Sequence, residues 1–336
     1  MRKVVILALS LFVFMSGASI AASKPVVLRF AGAWPALDPV GLQMKGLADK
    51  FNKAAAGKYE IQVHPGESLV KLLDSLDAVR KGAVEMVGWP TGVYASVDPR
   101  FAAAEIPFLV NNVEADAATQ VSLLHDYSKF TEEKFNCKVL MVFTCLALDL
   151  CSTKPVKTAS DWKGLLTQSV SPQSAKFIEL MGGSPVPLPW PEGYQALQKG
   201  VVNATMQSSS MIIMFKLYEV AKYVTRGYLI PASIMFVVNL DTFKKMPKDM
   251  QDALVKAGLE QQKEANAFFI NVDRENTKTL REKGMNVYHL PKAERETWKQ
   301  KVKPYVDELF SKMPADFAEK VKKAAAEANA KYPYRE

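Results

Sequence analysis

Between residues 26 and 88 the chain alternates strand-like and helix-like hydrophobic periodicity, and this alternation narrows the fold more than any other feature. Val26 to Gly32 (VVLRFAG) reads as a short buried strand. From Val40 to Ala55, Leu42, Met44, Leu47 and Phe51 recur at helical spacing. Gly57 suits the left-handed residue that closes such a helix. Tyr59 to His64 alternates as a strand does, and Pro65-Gly66 turns the chain. Leu69 to Arg80 places Leu72, Leu73, Leu76 and Val79 on one helical face, and Val84 to Gly88 is the next short strand. A β-α-β-α-β order in about sixty residues requires right-handed crossovers and a largely parallel sheet. In such sheets ligands bind beyond the carboxyl ends of the strands. The loops at those ends carry Trp34, Asp38, Glu67, Trp89 and Thr91.

The remainder supports a second α/β unit. Lys138 to Cys151 holds one or two strands, Ser174 to Met181 is helical and stops at Gly182-Gly183, and Glu192 to Gln198 forms a short helix closed by Gly200. Ile234 to Asn239 reads as a strand. Lys248 to Lys283 is a continuous helical pattern, about 50 Å long at 1.5 Å per residue, and is expected to lie across two lobes. Val287 to Leu290 is a last strand, followed by helices within Lys292 to Ala330.

The N-terminus has the layout of a secretory signal. Arg2 and Lys3 precede an apolar run from Val4 to Met15, and Gly17, Ala18, Ser19, Ala21 and Ala22 supply small residues for cleavage. Residues 1–22 are expected to be removed, leaving a chain long enough for two lobes. The formal charge of +8 falls to +6 without Arg2 and Lys3. Its excess sits partly in Lys-rich helical stretches such as Lys320, Lys322 and Lys323, interrupted by Glu319 and Glu327, as on a solvated face. No concentrated basic arm with interleaved aromatics exists, so nucleic acid is not an expected partner.

Catalytic signatures are lacking. The chain has no GxxxxGK[ST], GxGxxG, HExxH or GxSxG segment and no CxxC pair. Cys137, Cys145 and Cys151 are too few for a disulfide scaffold and read as buried thiols. His64, His125 and His289 are scattered and read as surface or structural residues. No cofactor and no metal site is expected. The rival reading is a secreted thiol- or carboxylate-dependent hydrolase.

Seven segments in series resemble the solute-binding proteins of tripartite ATP-independent periplasmic (TRAP) transporters, the dicarboxylate- and sialic-acid-binding type. They are LRFAGAWP (Leu28–Pro35), GKYEI with HPGESL (Gly57–Leu69), VRKGAVEM (Val79–Met86), IPFLV (Ile106–Val110), STKPVKTASDWKGL (Ser152–Leu165), GGSPVPLPWPEGYQALQKGVVNA (Gly182–Ala204) and YEVAKYVT (Tyr218–Thr225). The sixth is the most specific. The resemblance implies the two-lobed periplasmic-binding-protein fold, with mixed, mostly parallel sheets flanked by helices and one long helix spanning both lobes. Residues 24–147 with 234–270 are assigned to lobe I, and 148–233 with 271–336 to lobe II. The implied function is capture of a small solute in the interlobe cleft and delivery to the membrane permease subunits, by a periplasmic monomer that is not an enzyme.

Departures from the family pattern bear on the solute. The family sets an Arg that forks onto a substrate carboxylate where this chain has Gln168, and a second Arg near Leu148, where only Asp149 is charged. Gln207 stands at the usual Asn position. Gln168 and Gln207 each donate and accept, which suits a neutral or zwitterionic group. Trp34, Trp89, Trp190 and Tyr194 offer aromatic walls to a flat or apolar ligand. Asp38, Glu67, Asp149 and Glu192 are candidate partners for a ligand ammonium. The expected ligand set is therefore Trp34, Asp38, Glu67, Trp89, Thr91, Asp149, Gln168, Trp190, Tyr194 and Gln207.

Overall fold

The computed structural model describes residues 24–336; the export signal expected in residues 1–22 lies outside the described residues. The first alternating segment forms β1 (Val26–Gly32), α1 (Pro39–Ala55), β2 (Tyr59–His64), α2 (Ser75–Arg80) and β3 (Met86–Pro90). Strands β1 and β2 run parallel, as do β1 and β3. Helix α1 starts where Asp38 caps it, its carboxylate accepting from the Val40 N–H at 2.8 Å. It ends in a left-handed turn that begins at Ala56, one residue before Gly57.

The helix expected from Leu69 is shorter than its apolar spacing suggests. Glu67 takes a positive φ of 58°, and its carboxylate accepts from the Leu72 N–H at 2.8 Å. That local bond holds residues 67–71 as a loop, a single 3-10 turn follows at Leu72–Asp74, and α2 begins only at Ser75. Leu73 is left exposed.

Next come α3 (Val113–Phe135), a 23-residue helix in a stretch given no element by periodicity, and β4 (Cys137–Ser152). The second α/β unit then holds β5 (Leu166–Ser169), α4 (Pro172–Met181), β6 (Ser184–Pro187), α5 (Gly193–Gln198), β7 (Ala204–Gln207) and α6 (Ser209–Met214). Strand β8 (Tyr223–Asn239) returns to the first half, and α7 (Leu240–Lys245) leads into α8 (Lys248–Glu282). Strand β9 (Asn286–His289), α9 (Lys292–Lys312) and α10 (Ala315–Lys331) complete the chain.

All nine strands belong to one sheet, ordered β2-β1-β3-β8-β4-β7-β5-β6, with β9 beside β8. The sheet is continuous because β4 and β8 are long antiparallel partners that traverse both halves. The strand expected at 234–239 is only the last third of β8; Gly227 and Pro231 break the apolar pattern of its first part. Two cores pack against the first half of the sheet, one on each face, and two smaller ones against the second. Helix α10 puts Phe317, Ala318 and Val321 into a core of the first half, although residues 271–336 were assigned to the second.

The β4–β8 ladder slips register between Val139 and Met141, between Thr144 and Ala147, and between Leu148 and Leu150. Strand β7 pairs with β4 only from Asp149 to Ser152, so the earlier part of β4 has β8 on one side alone, and buried N–H groups on its other edge need partners. Helix α8 supplies two of them. Gln262 accepts from the Val142 N–H at 2.9 Å, and Asn266 accepts from the Thr144 N–H at 3.1 Å. The helix reaches the strand because Gly258 lies against it: a Cβ there would come within 2.6 Å of the Leu140 carbonyl oxygen.

Removing one acceptor orphans a buried N–H, which costs about 1–3 kcal/mol. Asn266→Ala is expected to lose that much stability in urea unfolding, whereas Lys263→Ala, on the exposed side of the same helix, stays within about 0.5 kcal/mol of the parent. Equal effects from the two would contradict the role given to α8.

Candidate functional site

The carboxyl ends of β1, β2 and β3 gather five of the expected residues. Their loops are tied together by backbone bonds from Gly66 N to Trp34 O at 2.9 Å and from Glu67 N to Gly32 O at 3.0 Å. Trp34 is buried in the first-half core. Asp38 is half-buried at the start of α1, where desolvation raises its pKa against two backbone N–H donors. Glu67 is committed to the 72–74 turn, with Lys71 at 3.4 Å. Trp89 is fully buried, edge-on to Tyr94 at 5.3 Å and to Phe101 at 6.4 Å. Thr91 donates to the Ser233 carbonyl at 3.2 Å and so ties the β3 end to β8.

The second half contributes the others. Gln168, at the position where the resemblance implies a solute-facing Arg, is fully buried with its amide engaged inside the protein. Its Nε2 donates to the Pro189 carbonyl at 2.8 Å and the Leu188 carbonyl at 3.3 Å, while Oε1 accepts from Thr205 at 2.9 Å. Gly193 makes this fit possible, since a Cβ there would lie 2.5 Å from Gln168 Oε1. Gln168 thus staples β5 and β7 to the loop that presents Trp190, which is half-buried. Tyr194 donates to Glu219 at 2.9 Å, and Glu192 is exposed.

Asp149 and Gln207 are opposed in the β4–β7 register. Asp149 is buried in a charge network: Arg226 Nε donates to it at 3.2 Å, and the Gly227 N–H at 3.1 Å. Arg226 also pairs with Asp273 of α8 and donates to Thr277. Burial would lower the Arg226 pKa, but the Asp273 and Asp149 carboxylates outweigh it and hold the guanidinium above its ordinary value. Gln207 shares with Trp89 a buried polar group that lacks a partner, and in Gln207 both the donor and the acceptor do. It is 1% exposed, and neither its Nε2 nor its Oε1 has a hydrogen-bond partner. A buried group left in that condition costs about 1–3 kcal/mol and calls for something that completes it, such as a bound water or a solute.

Several residues at the crossing gave no signal in the sequence. Leu146 on β4 and Tyr228 on β8 both have positive φ, at 71° and 51°. Tyr228 donates to the buried Asp116 at 3.2 Å, Gln120 donates to it at 2.9 Å, and Thr144 lies 3.2 Å from the Tyr228 hydroxyl. Burial pushes the Asp116 carboxyl up to about 6 and that of Glu105, beneath Gly92, up to about 7. Arg226 directly follows the YEVAKYVT segment, the one clue that pointed toward it.

Thiol chemistry finds no support here. All three cysteines are free thiols on β4, and burial pushes Cys137 and Cys151 up to about 12, far from the thiolate that a nucleophile needs.

A family model described as bacterial extracellular solute-binding protein, family 7 (DctP) matches residues 30–331. The chain belongs to that family. Members are substrate-binding receptors for TRAP-type transporters, so this chain is a binding protein and not an enzyme. Among its relatives, the C4-dicarboxylate-binding periplasmic protein of Rhodobacter capsulatus is 26% identical, over 91% of this chain and 93% of that one. The 2,3-diketo-L-gulonate-binding periplasmic protein of Escherichia coli is 24% identical over 69% and 72%. A TRAP periplasmic solute-binding protein of Ochrobactrum anthropi superposes with a TM-score of 0.85 at 22% identity, covering 92% of this chain and 97% of that one. A Bordetella pertussis extracytoplasmic solute receptor binding pyroglutamic acid gives 0.81 at 21% identity, covering 90% and 99%. The expected two-lobed architecture with a shared long helix is therefore this chain's fold.

Two outcomes follow from the buried polar groups. Replacing Gln207 by Leu removes an unpartnered amide at nearly constant volume, so unfolding in the absence of solute is expected to become harder by about 1–2 kcal/mol; a loss of stability would show that the amide is satisfied after all. Asp116 and Glu105 bind protons more tightly folded than unfolded. They add stability below about pH 4, and this is lost as the pH rises to about 7. Asp116→Asn with Glu105→Gln is expected to flatten that decline in a pH series of denaturation curves, and an unaltered slope would contradict the assignment.

Proposed function

We propose that this receptor, exported by the signal in residues 1–22 and working as a monomer, captures a small organic solute in the periplasm and hands it to its TRAP permease subunits. The solute sits at the carboxyl ends of the strands, between the β1, β2 and β3 loops of one half and the β5 and β7 ends of the other. The observation that carries this reading is Gln207, a sealed amide without a partner at the end of a cleft-facing strand.

Trp34 and Asp38 line the first wall, with Thr91 tying it to β8 from behind; Trp190, Tyr194 and Gln207 line the second. Asp149 acts from behind by fixing Arg226 and the crossing, and Gln168 by fixing the Trp190 loop. Glu67 and Trp89 shape the loops that carry the first wall. Relatives named for pyroglutamic acid, galactonate and glucuronate support a solute of this size and polarity. Binding energy available only in the closed form shifts the two halves toward closure. The closed form is the one the permease receives. Nucleic acid has no part in this cycle.

A binding protein and a hydrolase part company in one titration. The purified protein, screened by thermal shift against organic acids, lactams and amino acids, is expected to gain several degrees with one class and to return that compound unchanged by mass spectrometry after hours of incubation. Chemical conversion of the compound would refute the reading.

A further inference from the structure

Unpartnered buried polar atoms are few among the described residues, and most of them stand at carboxyl ends of strands, in the two halves on either side of the β4–β8 pair. His64 ends β2, Trp89 is the last residue but one of β3, and Gln207 ends β7. All three lie at carboxyl ends of strands. Together they offer the His64 Nε2, the Trp89 Nε1 donor, and both the donor and the acceptor of the Gln207 amide. None of these atoms belongs to a Lys or Arg side chain.

The cations that would hold a carboxylate are committed or replaced. Leu148 is apolar, and the Gln168 amide is taken up by Leu188, Pro189 and Thr205. Arg226 and Arg295 are buried guanidiniums at the crossing: Asp149, Asp273 and Thr277 take donors of the first, and the Gly227 and Val110 carbonyls take donors of the second.

A primary amide with both edges free is matched by a group that presents an acceptor beside a donor, as a lactam, an imide or another amide does. Such a pair forms two parallel hydrogen bonds without net charge. A dicarboxylate would leave the Gln207 carbonyl facing an anion.

Resting on the cleft reading above, we propose that the solute is recognised through a neutral cis-amide edge, lactam or imide, paired to Gln207, and not through a carboxylate fork. Specificity then follows from the unmatched alternative, since an analogue lacking the donor strands a buried acceptor.

The test uses calorimetric titration of the purified protein with glutarimide, pyroglutamate and glutarate, three probes of similar size. Glutarimide or pyroglutamate is expected to bind at least tenfold more tightly than glutarate. Gln207→Leu is expected to abolish that preference while the protein stays folded. Gln207→Glu, which keeps the size and removes the donors, is expected to weaken lactam binding at least tenfold. Glutarate binding as tightly as the lactam, no binding by any probe, or a preference untouched by Gln207→Leu would each overturn the proposal. The first and third leave the cleft reading standing, provided that binding is lost in a Trp190→Ala variant. Binding that survives both Gln207→Leu and Trp190→Ala would sink the cleft reading as well.

Discussion

The antiparallel pairing of β4 with β8 is the constraint on which the rest of the molecule depends. These strands run through both halves, so neither half owns its sheet. A regular ladder of that length would be stiff. This one slips register three times and places Leu146 and Tyr228 at positive φ, where non-glycine residues are strained. Side chains complete what the ladder leaves open: Gln262 and Asn266 from α8 on the edge of β4 that no strand covers, and Asp149, whose carboxylate takes the Gly227 N–H. Helix α8 therefore does more than cover the sheet. It carries the acceptors for the edge of β4 that has no strand beside it.

Polar satisfaction separates scaffold from site. Gln168, Asp149 and Thr91 are buried and find their partners within the protein, so they give rigidity. Gln207 is equally buried and finds none. Gln168 and Gln207, alike in the sequence, thus differ in whether a neighbour within reach completes them, and on the proposed reading only the second meets solute. The same logic places the thiols outside the chemistry: on one extended strand, with burial favouring the neutral form, they behave as small apolar groups.

Much of the fold was legible in the sequence because it rests on periodicity. Val26–Gly32, Tyr59–His64 and the 35 residues of α8 are each backed by a pattern sustained over their length. Where a single local bond competes, pattern fails. Glu67 reaching Leu72 shortened a helix whose apolar face was complete. Gly227 and Pro231 hid the first part of β8, although the strand tolerates both beside its register slips. For the same reason Arg226 and Tyr228 escaped notice, and with them the crossing. Asp38, Glu67 and Thr91 were nameable from their strand-end loops and Asp149, Gln168 and Gln207 from the family resemblance, but their commitments were not. That Gln168 turns toward Pro189 depends on Gly193 leaving room, a relation between residues 25 apart in the chain that no spacing rule encodes.

Motion of one half against the other on solute capture is the most direct test of this account. Leu73, exposed near the β2 end, and Met214, exposed after β7, lie in different halves, and the native cysteines are buried or half-buried. Spin labels at Leu73→Cys and Met214→Cys would report the separation by pulsed electron resonance. The account requires a broad distance distribution that narrows and shortens in proportion to bound solute, saturating at one equivalent. A distribution unchanged at saturating solute would contradict closure about the β4–β8 crossing.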